Sequence, residues 1–171
     1  MAVPYVHSPL SETRSIRIIQ LLPAKSSTWP IACGLEEASL DAKPEYTALS
    51  YAWDGQQLDC PIVCSGRRLL VTRNCQAALR QLRHSTDFLH LWIDSICIDQ
   101  TSGDERSQQV ALMGEIYKSA HQVIVWLGLL DERTERAMQC IEELGTKKEH
   151  ESDDEIQQGL HQRVERLKQG Q

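Results

Sequence analysis

Two rhythms of apolar residues run along this chain, an alternation in its first half and a helical period in its second. Over residues 14–22, Ile16 and Ile18 alternate with polar positions before Ile19, Leu21 and Leu22 run together, the pattern of a strand that Pro23 ends. Residues 25–44 mix Ser, Pro, Gly and Glu and read as mostly connection, with a short strand over 29–33. A second strong strand follows over 46–53, broken by Asp54-Gly55. Two β-rich runs, Ile62-Val63-Cys64 and Leu69-Leu70-Val71, flank Ser65-Gly66, a two-residue turn suited to a hairpin because Gly tolerates positive φ. Either Thr72 or Asn74 then caps a helix whose Cys75, Ala78, Leu79 and Leu82 fall on one face.

Residues 88–93 form a nearly continuous apolar run, which predicts a strand covered on both faces, as in a parallel sheet flanked by helices. Residues 123–127 form another. Between them Asp104 is placed to cap a helix reaching Ala120, with Val110, Met113, Tyr117 and Ala120 as its apolar positions, so the segment reads as a βαβ unit. Beyond Gly128 the composition turns acidic, with ten acidic residues against four basic ones over 131–155. Amphipathic patterns over 131–144 and 155–168 predict two further helices joined by a solvated linker. The expected division is a domain over 1–145 followed by an acidic linker and C-terminal helix over 146–171.

Of the 171 residues 41% are hydrophobic and 25% charged, a balance that supports a buried core. The formal charge of −6 provides no basic field for nucleic acid. No stretch approaches the roughly 20 apolar residues of a membrane helix, and the N-terminus lacks the regions of a signal peptide, so the expected location is cytoplasmic. The six cysteines lie mostly inside apolar or periodic segments and are expected to be reduced, buried thiols. Cys60 and Cys64 lack the second ligand pair of a zinc site, and no metal is expected.

Ligands of open α/β sheets gather at the carboxyl ends of strands. That rule selects residues 50–55, 94–106 and 128–135. In the middle segment Asp94 and Asp99 lie in surroundings apolar enough that their carboxylates must be paired, hydrogen-bonded or functional, with Arg73 and Arg106 as available partners. One reading has Asp94 capping a turn and Asp99 bonding backbone amides; the other is catalytic. Glu105 begins a helix, where a carboxylate also suits the dipole. Trp53 and Trp126 stand at strand ends, placed to stack on a flat ligand or to plug the core edge.

Taken in order, Tyr46-Thr-Ala-Leu-Ser-Tyr-Ala-Trp53, Leu70-Val-Thr-Arg-Asn74, Trp92-Ile-Asp-Ser-Ile-Cys-Ile-Asp-Gln100, Glu105-Arg106, Ile116-Tyr117 and Val123-Ile-Val-Trp-Leu-Gly128 resemble the fungal heterokaryon-incompatibility (HET) domain. The resemblance implies an effector of regulated cell death when genetically different hyphae fuse, acting by self-association and with an upstream sensor as a possible partner. This family has been likened to TIR domains, which implies a TIR-like, flavodoxin-like fold. The expected architecture is then a mostly parallel sheet flanked by helices, with an added β-hairpin and an extra N-terminal strand. Many TIR domains cleave NAD+ with a glutamate on the helix after the last strand. Carried over, that position falls on Glu132 or, better, Glu135, with Glu105 as the other candidate and Ser50, Trp53, Asp94 and Asp99 around the ligand. A carboxylate there stabilises the cationic ribosyl centre, as in glycoside hydrolysis. No cofactor is required; NAD+ would be the substrate.

Overall fold

The structure, a computed structural model, describes residues 3–53 and 55–129. Met1–Gly128 make one compact unit. Its strands are β1 (Ser15–Leu21), β2 (Ala32–Ser39), β3 (Thr47–Tyr51), β4 (Cys60–Cys64), β5 (Arg67–Val71), β6 (Leu89–Trp92) and β7 (Gln122–Trp126). The helices are α1 (Arg73–Leu82), the single turn α2 (Asp94–Cys97) and α3 (Gly103–Ser119). The seven strands form one sheet in the order β5-β4-β2-β1-β6-β3-β7.

That sheet is mixed rather than mostly parallel. β2 with β4, β3 with β6 and β3 with β7 run parallel, whereas β1 with β2, β1 with β6 and β4 with β5 run antiparallel. The N-terminal strand is the cause: it is not an addition at an edge but lies between β2 and β6, opposed to both. The expected βαβ unit is present as β6, α3 and β7, and β3 lies between its two strands in the same direction.

β2, Ala32–Ser39, corrects the reading of residues 25–44 as mostly connection with a short strand over 29–33: the strand is longer and begins later. Its sequence, ACGLEEAS, has little β-propensity, and it is held by seven aligned residue pairs with β1, from Ser15 opposite Ser39 to Leu21 opposite Cys33. The β4–β5 hairpin is as expected, with Ser65 at φ 49° and Gly66 at φ 74°. Positive φ at both central residues is the turn geometry that matches strand twist. Gly66→Ala, which meets no neighbouring atom within 4 Å, is expected to cost about 1 kcal/mol purely through the backbone, read as a lowered urea midpoint.

Thr72 is the α1 cap, its hydroxyl accepting from the Cys75 amide at 3.1 Å. For α3 the cap is Ser102 rather than Asp104, which falls inside the first turn with Glu105. The inward face of α3 also differs from expectation. Val110 is exposed, while Gln109 and Ile116 are fully buried, flanked by the partly buried Leu112, Met113, Tyr117 and Ala120. Gln109 turns inward because its amide donates to the Ser15 carbonyl at 2.9 Å, an anchor invisible to hydrophobic periodicity.

The core joins Ile16, Ile19, Leu21, Leu49, Leu79, Leu91, Trp92 and Ile96 into one cluster. β6, central in the sheet, is buried at Leu91 and Trp92, but β7 is not covered on both faces: among the described residues it has one neighbour, and Val123 and Val125 are exposed. Cys33, Cys60, Cys64, Cys75 and Cys97 are free thiols. Cys33 and Cys64 are opposed in the β2–β4 register, and the hydrogen bond from Cys64, with burial, pushes the Cys33 thiol up. Among the described residues no helix is long and apolar enough to cross a membrane.

Candidate functional site

Three parallel strands end on one side of the sheet, and their last residues build a polar shelf. Tyr51 closes β3 and donates to Ser95 Oγ at 2.8 Å, with Thr72 Oγ1 at 3.4 Å from the same phenol. Trp53 stacks nearly parallel to Tyr51, ring centres 6.4 Å apart and planes 12° apart. From β7 the Trp126 indole donates to Asn74 Oδ1 at 2.8 Å, and Asn74 Nδ2 donates to the Ala52 carbonyl at 2.9 Å. One asparagine therefore ties the end of β7 to the segment leaving β3. Trp126 is partly buried against the core, while Trp53 remains open to solvent.

Asp94 stands at the centre of this shelf. Ile93 is the last extended residue after β6, and Asp94 opens α2, its Oδ1 accepting the Ser95 amide at 2.7 Å. Burial pushes the Asp94 carboxyl above the usual range; the Ser95 amide and the Trp53 indole pull it partly back. The Tyr117 phenol is likewise pushed up, by burial first and then by the Asp94 charge, against a hydrogen bond with Ser50. Burial also raises the Cys75 thiol to about 11, with Tyr51, Ser95 and Asp94 among its neighbours. Ser50, Trp53 and Asp94 thus lie around one another, whereas Asp99, expected with them, does not join them. Beside them, a cleft of about 390 Å³ is lined by Gln56, Gln57, Asp59 and Arg73.

Glu105 and Asp99 belong to a second cluster. Both Glu105 oxygens receive the Arg17 guanidinium, Nη2 at 2.9 Å, and Oε1 also accepts the Asp99 amide at 2.7 Å. Burial pushes Glu105 up, but the Arg17 hydrogen bonds and the Asp99 amide outweigh it, leaving the carboxyl below its ordinary value. Asp99 Oδ1 accepts the Thr101 hydroxyl at 2.6 Å and the Thr101 amide at 3.0 Å, which hold its carboxyl low. Arg17 also donates to the carbonyls of Cys97 and Ser8, and His7 Nε2 bonds the Ile96 carbonyl at 2.8 Å. This cluster fastens the N-terminal arm to the α2–α3 loop.

Among the described residues neither Arg73 nor Arg106 forms an ion pair with Asp94 or Asp99; the ion pair of this cluster joins Arg17 to Glu105. Its signal was present in the sequence, since an arginine amid Ile16, Ile18 and Ile19 is a buried cation that needs a carboxylate. Asn74, read only as an alternative cap, is the residue that links two strand ends. Glu132 and Glu135 lie outside the described residues. Among the described residues no three His, Cys, Asp or Glu side chains are grouped to hold a metal.

A raised carboxyl amid serine and tyrosine hydroxyls, beside a stacked aromatic pair, is suited to a small polar ligand with a flat ring. Together with the mixed sheet, this shelf defines the class: an α/β domain with a polar surface at the carboxyl ends of its parallel strands. The model of the heterokaryon incompatibility protein (HET) family matches residues 46–170, and the chain belongs to that family. It is 38% identical over 143 residues to heterokaryon incompatibility protein 6, OR allele, of Neurospora crassa, covering 76% of this chain and 21% of that protein. The chain therefore spans about a fifth of that relative's length. No solved structure matches the chain.

Proposed function

We propose that this domain is a cytoplasmic effector of regulated cell death in non-self recognition between fungal hyphae, acting by self-association. The observation that carries the reading is the family match over residues 46–170, supported by the relative's name as a heterokaryon incompatibility protein. The surface from Asp94 to Tyr117, with Asp94 at its centre, is the one by which copies meet, and an upstream sensor sets when they do. Inducible expression of the full chain in a fungal cell is expected to kill it, with the purified chain growing in size as its concentration rises. Harmless accumulation of folded protein would overturn this.

A second reading is favoured by the grouping of Ser50, Trp53 and Asp94 beside Tyr117. It is a TIR-type NAD+ glycohydrolase, in which the shelf holds the ribose and nicotinamide, and Glu135 stabilises the ribosyl cation. Glu105 is the weaker candidate because its carboxylate is already bonded to Arg17. The purified chain at high concentration would then release nicotinamide from NAD+, and Glu135→Gln would abolish the release. An assembled sample that releases none leaves the non-catalytic effector.

A further inference from the structure

The end of the sheet opposite Asp94 carries a different surface. There β1 ends, β2 and β6 begin, and α1 terminates. The Leu22 amide donates to the Ala32 carbonyl at 2.9 Å, and the antiparallel register sets Leu21 against Leu89, the residues next to Leu22 and Phe88 in the chain. Leu22, Trp29 and Phe88 are 36%, 55% and 55% exposed. Large apolar side chains gathered at one rim mark a contact surface more often than scattered ones do.

The same rim is basic. The loop between β1 and β2 is drawn against the end of α1 by two guanidiniums. Arg80 donates to the carbonyls of Ser27 and Trp29, and Arg83 to those of Pro30 at 2.9 Å, Ser26 at 3.0 Å and Trp29 at 3.2 Å. The Ala24 amide donates to the His84 carbonyl at 3.0 Å, and Lys25 is exposed on the loop between them. These bonds take up N–H groups but neutralise no charge. Among the described residues, the carboxylates that form ion pairs do so with Arg14 and Arg17, not with Arg80 or Arg83. Asp87, next to Phe88, accepts the Thr86 hydroxyl. Three cations with so little opposition stand out in a chain of formal charge −6.

We propose that this rim docks the domain onto an anionic membrane surface, with Trp29 and Phe88 seated among the headgroups and Lys25, Arg80 and Arg83 facing lipid phosphates. Aromatic rings at headgroup depth beside basic residues are the combination by which proteins lie on a bilayer without crossing it. Lipid satisfies both halves of the surface. A nucleic-acid strand would use the cations but give Leu22 no apolar neighbour. Docking by this end leaves the Asp94 shelf facing away from the bilayer, so the inference is independent of which activity the shelf performs.

The test is sedimentation of the full chain with vesicles of phosphatidylcholine, alone or containing phosphatidylserine. Partition is expected only with phosphatidylserine, and to weaken as salt is raised. Lys25→Gln should lower it about fivefold, the equivalent of roughly 1 kcal/mol per basic residue at such a surface. Trp29→Ser with Phe88→Ser should lower it by about tenfold or more through lost apolar insertion, at unchanged circular dichroism because both side chains are exposed. Arg80 and Arg83 are left in place because they hold the loop. Equal or absent binding to the two vesicle types, or full binding by the double variant, would overturn the proposal. Retention on inositol hexaphosphate or RNA without vesicle partition would assign the rim to a soluble anion and overturn it equally.

Discussion

Glu105→Gln is expected to lower folding stability by about 3 kcal/mol, because it leaves the Arg17 cation buried without its counter-charge. The side chains of the pair are 5% and 11% exposed, so solvent does little to screen the loss. The measurement is urea unfolding of the purified chain, and a change below about 0.5 kcal/mol, the scale of a surface substitution, would remove the pair from the stability account. Arg17→Met should cost a similar amount. The two changes combined should cost less than their sum by about 1–3 kcal/mol, since the second no longer breaks a pair. The pH dependence has a definite sign. Glu105 titrates lower in the folded chain than in the unfolded one. Its contribution is therefore present above the unfolded value of about 4.3 and is lost as pH falls through the folded one. The wild type should thus lose stability on acidification in a window where Glu105→Gln is flatter.

Asp94→Asn is expected to do the reverse, abolishing killing in the expression assay while keeping the fold. Burial raises the Asp94 carboxyl, so its ionised form weighs against folding once pH rises above the unfolded value of about 3.9. An amide of the same shape removes that penalty and still accepts the Ser95 amide, so stability should stay within about 1 kcal/mol of wild type. What disappears is the charge that a ligand or a second copy would meet at the shelf beside Ser50, Trp53 and Tyr117. Full killing by a folded Asp94→Asn chain would detach the effector function from the shelf. The two variants separate the carboxylates by role: one fails by unfolding, the other as a folded protein.

That separation could not be seen along the chain. Asp94, Asp99 and Glu105 are close neighbours in sequence, and the physical rule that a buried carboxylate needs a partner or a task applies alike to all three. Which condition each meets depends on where β1 lies. Because β1 runs antiparallel to β6 at the centre of the sheet, Arg17 arrives at the α2–α3 loop and occupies Glu105, whereas Asp94 faces the end of β3 and receives only an amide and an indole.

The sequence by itself determined the elements whose signals are local. The strand alternation at Ile16 and Ile18, the Ser65-Gly66 turn, the apolar face of α1 and the run ending at Trp92 each need only neighbouring residues to be read. Its ordered motifs also carried the family. Tertiary structure alone decided β2, a strand of weak propensity made by its ladder with β1, and the placement of β1 inside the sheet that makes it mixed. It also turned Gln109 inward in place of Val110 and matched Arg17 to Glu105. Each joins residues from 12 to 94 positions apart, and periodicity, which samples a few neighbouring residues at a time, contains no term for such a pairing.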